Sequence, residues 1–150
     1  MTGYANRRTR RGGFTLLEIL VVVLIISVLA AIVGVNVAQE PGRARVAAAE
    51  AQIGTFRTAL QLYRMDNGRL PTLRQGLAAL CRKPRTPPVP SAYREGGYLD
   101  TRNLPRDPWG HPYVYLVPGP DGAPFDIVSY GADGEPGGEG EAADIRSAEM

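Results

Sequence analysis

The chain has 150 residues, enough for one modest globular domain, and its single cysteine excludes an internal disulfide. The net charge of +2 hides an asymmetry, because residues 1–13 carry four arginines and no acid while residues 121–150 carry eight acids and one arginine. We therefore expect no basic face for nucleic acid beyond the N-terminal segment, and the single histidine argues against zinc centres and Cys/His nucleophile pairs.

The first predicted element is an apolar helix at residues 14–38. No charged residue occurs from Ile19 to Val35, and the whole segment would be ~37 Å long as a helix, enough to cross a ~30 Å hydrocarbon core. The preceding arginines predict that the N-terminus stays in the cytoplasm. The sequence thus predicts a basic leader at 1–13, a single-pass anchor at 14–38 and an exported domain at 39–150.

Glu18 argues against a plain membrane anchor. A carboxylate inside a membrane helix costs at least a few kcal/mol unless it is paired. Glu18 lies in the first turn, where a helix N-terminus tolerates negative charge. Cleavage after Gly13 would create an amino group at Phe14, about one turn from Glu18 of the same chain. In an assembly, Glu18 of one subunit could instead pair with the amino terminus of a neighbour, which would supply the missing counter-charge.

The residues "GFTLLEILVVVLIISVLAAI" resemble the class III signal of the type IV pilin superfamily. The resemblance implies that a prepilin peptidase cleaves between Gly13 and Phe14 and methylates the new amino group of Phe14. It also implies that Glu18 is the assembly glutamate.

A break and a second helical stretch follow the anchor. Pro41 and Gly42 predict a kink or a melted stretch near residues 36–43, because proline removes one helical hydrogen bond and clashes one turn back. From Ala44 the apolar residues return to helical spacing and predict a buried stripe, with Gly68 as the stop. The stripe is Ile53, Phe56, Leu60 and Tyr63.

The rest of the sequence predicts a short helix and a small sheet. Thr72 and Gln75 have the spacing of a capping box, and Leu73, Leu77 and Leu80 would form the buried side of that helix. A proline-rich loop follows. Residues 113–117 and 125–130 read as two antiparallel strands joined by a Gly/Pro turn. The predicted class is α+β, a long N-terminal hydrophobic helix packed against a small antiparallel β-sheet.

No enzyme site is predicted. His111 lies in "DPWGHPY", where a loop histidine with a structural hydrogen bond is the expected role. Asp107 and Trp109 are expected to fix a tight turn at the edge of the core. Cys81 is expected to pack inertly on the buried side of the short helix.

The acidic loop, residues 133–144 ("DGEPGGEGEAAD"), is the one candidate metal site in the sequence. Its carboxylates, separated by glycines, could converge around Ca²⁺, which prefers hard oxygen ligands. The length suggests an EF-hand loop, but glycine at position five, aspartate at position twelve and a preceding strand argue against that motif. From the residues alone, a calcium site and a disordered acidic tail both remain open.

Four further blocks, together with the N-terminal signal, extend the resemblance over nearly all of residues 13–145. They are "LPTLRQGLAAL", "GGYL", "LPRDPWGHPYVYLVPG" and "FDIVSYGADGEPGGEGEAADI". Together they resemble the protein G family of major pseudopilins in type II secretion systems. The resemblance implies a calcium loop with carboxylate ligands from Asp133 and Asp144 and a carbonyl ligand from Tyr130. Glu135, through its carbonyl, and Glu141 would complete the set.

The chain departs from the family pattern at the end of this loop. Ala142 and Ala143 stand where many members have an aspartate, and Arg146-Ser147 replace the common ending after Ile145.

The family resemblance implies a structural subunit of a periplasmic pseudopilus that drives export of folded proteins across the outer membrane. The implied partners are further copies of the chain, minor pseudopilins, the prepilin peptidase and the inner-membrane assembly platform, with no nucleic acid. An adhesive or DNA-uptake type IV pilin is one alternative, although such pilins commonly close their C-terminal region with a disulfide. A membrane-tethered calcium-binding module that never polymerises is the other.

Overall fold

A computed structural model describes the backbone of residues 13–150 and the side chains of residues 13–31 and 41–150. The arginines of the predicted leader, at positions 7, 8, 10 and 11, lie outside the described residues. The chain divides into two compact units, residues 1–40 and residues 41–150.

One long helix and a three-stranded sheet make up most of the regular structure in the described residues. Helix α1 spans Leu16–Asn67, and the strands are β1 (Val114–Leu116), β2 (Asp126–Ser129) and β3 (Ile145–Arg146). The order is β1-β2-β3 with both pairs antiparallel, so that Tyr115 lies opposite Ile127 and Ser129 opposite Ile145. Short 3-10 helices lie at Leu77–Leu80, Pro120–Gly122, Gly140–Ala142 and Ser147–Glu149.

Helix α1 contains Pro41 without a break in its helical assignment. The melted stretch predicted near residues 36–43 is therefore not present in the secondary structure, whereas the alternative, a kink, stays a prediction. The boundary between the two compact units falls between Glu40 and Pro41. The predicted stop is confirmed, because α1 ends at Asn67 and the N–H of Gly68 still donates to the carbonyl of Arg64 at 2.8 Å.

Among the residues whose placement is described, no helical stretch has both the length and the hydropathy needed to cross a membrane. The anchor predicted at 14–38 stays a prediction, since the side chains of residues 32–40 lie outside the described part.

The core of the second unit lies between α1 and the sheet. The predicted stripe of α1, Ile53, Phe56, Leu60 and Tyr63, is buried, as expected from its helical spacing. On β1, Tyr115 is buried between two half-buried neighbours, the alternation of a strand with one covered face. The ring of Phe56 meets that of Tyr113, next to β1, edge-on at 5.0 Å. The predicted α+β architecture with a small antiparallel sheet is confirmed.

The predicted short helix differs from expectation. Its capping box forms, because the N–H of Thr72 donates to Oε1 of Gln75 at 3.0 Å and the N–H of Gln75 donates to Oγ1 of Thr72 at 3.3 Å. However, Gly76 has φ +58°, which ends this first turn, and only a 3-10 helix at Leu77–Leu80 follows. Leu73 is consequently 63% exposed, so its predicted burial is wrong.

Cys81 also departs from expectation, because it caps the 3-10 helix and is half-buried instead of lying on the helix's buried side. Burial raises the pKa of its thiol, which keeps the thiol protonated and agrees with an unreactive role. The third strand, β3, was not predicted, because a two-residue strand carries no readable periodicity.

Candidate functional site

The predicted cleavage position lies immediately before α1. Gly13, Phe14 and Thr15 are exposed and non-helical, and no described residue approaches within 4 Å of the space that a side chain at Gly13 would occupy. The peptide bond between Gly13 and Phe14 is thus accessible. A protease needs such an uncovered segment to reach the backbone.

Glu18 lies in the first turn of α1, as predicted. Its N–H donates to Oγ1 of Thr15 at 3.2 Å, so Thr15 caps the helix and satisfies one of its free N–H groups. This cap was not predicted, although the pattern Thr15-x-x-Glu18 is that of a capping box. The Glu18 carboxylate is exposed, at the end of the helix dipole that favours negative charge.

The acidic loop is folded back on itself. The N–H of Ala132 donates to the carbonyl of Glu141 at 2.8 Å, which joins the two ends of the loop. Oδ1 of Asp133 accepts the N–H of Glu135 at 3.1 Å, and Oδ1 of Asp144 accepts the N–H of Gly137 at 2.9 Å. Both predicted carboxylate ligands therefore turn one oxygen into the loop.

The other predicted ligands are distributed around this fold. Tyr130 follows β2 directly, so its carbonyl lies at the start of the loop. The side chain of Glu135 is exposed. The carboxylate of Glu141 lies against Gly42 and 3.8 Å from the guanidinium of Arg45, both of which belong to α1.

The oxygen donors of the loop can be compared with the requirements of calcium. Within the described residues, no three acidic, histidine or cysteine side chains converge closely enough to hold a metal ion. Two backbone carbonyls lie close to Gly131, because a side chain there (φ +61°) would come within 2.5 Å of the Glu141 carbonyl oxygen and 2.9 Å of the Ala143 carbonyl oxygen. Carboxylate and carbonyl oxygens are the hard donors that Ca²⁺ accepts, so the donor chemistry of the loop fits this ion although no finished cluster of carboxylates is present among the described residues.

The "DPWGHPY" turn supports this loop. Oδ1 of Asp107 accepts the N–H of Trp109 at 3.1 Å and that of His111 at 2.7 Å, which confirms the predicted tight turn. Nδ1 of His111 lies 3.0 Å from the carbonyl oxygen of Gly131, and the ring lies against Gly134. The histidine thus has a structural hydrogen bond, made at the start of the acidic loop.

A buried carboxylate that was not predicted from the sequence holds the C-terminal segment. Asp126 is 0% exposed, and its Oδ2 accepts hydrogen bonds from Nε and Nη2 of Arg146 at 3.0 and 2.7 Å. Its Oδ1 accepts the hydroxyl of Ser147 at 2.9 Å and the N–H of Ala148 at 3.1 Å. Burial acts to raise the pKa of Asp126, but these hydrogen bonds outweigh burial and lower it overall.

We call this arrangement the Asp126–Arg146 pair. Asp126 precedes the acidic loop in the chain, and Arg146 follows it by two residues. The hydrogen bond to Asp126 raises the pKa of Arg146, so both groups stay charged at neutral pH. No sequence signal pointed to the pair, because its members are 20 residues apart and meet only through the register of β2 and β3.

Comparisons with known proteins show which family this chain resembles. The family model "Type II secretion system (T2SS), protein G" matches residues 36–148, and the model "Prokaryotic N-terminal methylation motif" matches residues 8–34. The type II secretion system core protein G of Pseudomonas aeruginosa is 47% identical over 139 residues, covering 93% of this chain and 96% of that protein. The protein of the same name from Vibrio cholerae is 47% identical over 140 residues and covers 93% of each chain.

A solved structure is also similar. The crystal structure of the major pseudopilin from the type 2 secretion system of enterohaemorrhagic Escherichia coli matches with a TM-score of 0.65 and 38% identity. The match covers 77% of this chain and 96% of that one.

Proposed function

From the premise that this chain belongs to the protein G family of the type II secretion system, we propose how it is processed, anchored and assembled. The chain is a structural subunit of the secretion pseudopilus, because its relatives are named type II secretion system core protein G and the similar solved structure is that of a major pseudopilin. The steps by which it reaches the filament are the proposal. The two alternative functions, an adhesive or DNA-uptake pilin and a tethered module that never polymerises, are not proposed.

The observation that carries the proposal is the uncovered apolar surface of α1. Twelve large apolar side chains between Leu16 and Leu29, together with Phe14 just before the helix, each expose 44–82% of their surface. Covering each of them would contribute on the order of 1 kcal/mol or more, so this surface is unstable in water and stable against lipid or other helices. Before assembly the segment at 14–38 would lie in the inner membrane, with residues 39–150 in the periplasm. In the filament it would pack on neighbouring α1 helices.

Processing would take place at the exposed segment before α1. A prepilin peptidase would cleave between Gly13 and Phe14 and methylate the amino group of Phe14. This removes the basic leader, which otherwise holds the N-terminus at the cytoplasmic surface. The match of residues 8–34 to the N-terminal methylation motif supports this step.

Glu18 would then meet the amino terminus of a neighbouring subunit. The Thr15 cap fixes the first turn of α1 and leaves the Glu18 carboxylate exposed, so it is available to another chain. Minor pseudopilins and the assembly platform of the inner membrane would be further partners of the same helix.

The test of this pairing is Glu18→Ala in the full chain. We expect normal insertion and cleavage but few crosslinks between neighbouring α1 helices, because the amino group then has no counter-charge. Glu18→Asp keeps the charge and is the matched control. Wild-type crosslinking in Glu18→Ala would contradict the pairing.

Calcium would complete the acidic loop. Asp133 and Asp144 would supply carboxylate oxygens, and Tyr130 and Glu135 would supply carbonyl oxygens. Glu141 would join this set when its carboxylate leaves Arg45. A bound Ca²⁺ supplies positive charge that holds these oxygens together and fixes the loop against the sheet.

The calcium proposal is tested by thermal unfolding of residues 39–150 in Ca²⁺ and in EGTA. Calcium at 100 times its dissociation constant adds about 2.7 kcal/mol to the free energy of unfolding, so the melting temperature should rise. The rise should vanish in Asp133→Ala and persist in Glu139→Gln, since Glu139 is not among the proposed ligands. An unchanged wild-type melting temperature would refute the site.

A further inference from the structure

A strongly basic groove lies on the second unit. The net charge of the whole chain, +2, does not reveal how basic this segment is. Residues 67–93 contain five arginines and lysines and no acid. Four of them, Arg74, Arg82, Lys83 and Arg85, line a groove of about 690 Å³ together with Gln75 and Thr86. We call this surface the basic groove. No described carboxylate forms an ion pair with any of the four cations, and no acidic residue of the described chain lines the groove.

The groove has a fixed shape. Gln75 is only 8% exposed, and its Nε2 donates to the carbonyls of Thr86 at 2.9 Å and Pro88 at 3.1 Å. These bonds hold the proline-rich loop against the turn that carries Arg74. The four cations are thus presented on an ordered backbone, which lowers the entropy cost of binding an anionic partner.

The basic groove and the acidic loop lie at opposite ends of the second unit. The groove is linked to the C-terminal end of α1, because the hydroxyl of Tyr93 donates to the carbonyl of Ala79 and its ring packs on Tyr63. The acidic loop lies at the other end, where Glu141 approaches Arg45. Arg45 and Tyr63 are 18 residues apart on the helix, a distance of about 27 Å at 1.5 Å per residue.

Two acids of the loop point outwards. Asp133 and Asp144 bond to N–H groups within the loop, and Glu141 lies against α1. The side chains of Glu135 and Glu139, by contrast, are exposed and make no contact with a cation in the described residues. One end of the unit therefore presents unpaired cations, and the opposite end presents unpaired carboxylates.

We infer that the basic groove of one copy receives the acidic loop of the next copy. This inference rests on the proposed function, which places many copies of the chain side by side. A contact between two different surfaces of identical subunits is head-to-tail and leads to an open filament when the rotation between copies does not close a ring. Complementary charges set the orientation of such a contact and suppress head-to-head pairing of like-charged ends.

The test is a charge reversal and its exchange in the full chain, measured as the amount of chain recovered in sedimented filaments. We expect Arg82→Glu with Arg85→Glu to lower filament recovery roughly tenfold, because each attraction becomes a repulsion of similar size. Adding Glu139→Lys to that variant should restore part of the recovery, because the acidic loop then presents a cation to the reversed groove and Glu139 is not among the proposed calcium ligands.

A matched control makes the same change in net charge elsewhere. Arg64→Glu with Arg102→Glu alters two exposed arginines outside the groove and should leave filament recovery near the wild-type value. The melting temperature of every variant should stay near that of the wild type, which separates assembly from folding.

Three results would overturn the inference. If the groove variant assembles like the control, the groove takes no part in the contact. If the exchange variant does not regain assembly, the groove binds another anion, such as a lipid headgroup or a different protein. If the wild-type chain forms no filaments, the proposed function fails and this inference fails with it.

Discussion

Replacement of Arg146 by glutamine should destabilise the second unit strongly. The substitution removes the guanidinium whose two nitrogens bond to Oδ2 of Asp126, while the Asp126 side chain stays fully buried. Ser147 and Ala148 would still bond to the other oxygen. With the N–H of Ile127, which also bonds to that oxygen, the buried carboxylate keeps three of its five hydrogen bonds but has no paired cation.

The size of the effect follows from this geometry. Removing one member of a buried ion pair costs about 3–5 kcal/mol, and the 29% exposure of the Arg146 side chain places this case near 3 kcal/mol. For a unit of this size, that loss corresponds to a fall of about 10–15 °C in melting temperature. Thermal unfolding of residues 41–150 at pH 7, followed by circular dichroism, measures it.

The pH dependence gives a second readout for the same pair. The pKa of Asp126 is lowered from its ordinary value of 3.8 by folding, so its stabilisation is present above that value and disappears as pH falls through the folded-state pKa. The difference in melting temperature between the wild type and Arg146→Gln should become smaller at low pH, because protonation of Asp126 then removes the ion pair from the wild type as well.

The control is Arg102→Gln, which removes an exposed arginine and should change the free energy of unfolding by less than about 0.5 kcal/mol. If Arg146→Gln melts at the same temperature as this control, the Asp126–Arg146 pair does not stabilise the unit and the prediction is refuted.

Three further predictions concern local structure. Thr15→Ala removes the cap of α1 and should speed hydrogen exchange of the Glu18 N–H about fivefold in detergent micelles, a loss of about 1 kcal/mol; unchanged exchange would count against the cap. Gly131→Ala should lower the melting temperature through about 2 kcal/mol of strain, because φ is +61° and the new methyl group meets the Glu141 carbonyl. The control Gly54→Ala places a methyl group in open space on α1 and should raise the melting temperature. Leu73→Ser should leave the melting temperature nearly unchanged, and a large fall would mean that Leu73 is buried after all.

Periodicity and short-range signals predicted much of the fold. Helical spacing identified the buried face of α1, and two runs of strand-forming residues joined by a Gly/Pro turn identified β1 and β2. The N-terminal signal identified the superfamily from the residues themselves, because the basic leader, Phe14 and Glu18 occur in one short stretch.

Features that depend on tertiary contacts were not predicted. Gly76 has a left-handed conformation and turns the expected second helix into a 3-10 helix, although the capping box forms as predicted. The Asp126–Arg146 pair and β3 arise from strand register, which the sequence does not show. The basic groove was missed because a whole-chain charge count hides a segment that has cations and no acids.

The most direct test of the proposed function is the N-terminus of the chain recovered from assembled filaments. The full-length chain would be expressed in cells that carry the secretion system, and filaments would be purified and analysed by mass spectrometry. We predict a subunit that begins at Phe14 with a methylated amino group. Filaments whose subunits still begin at Met1, or filaments that lack this chain, would contradict the proposal.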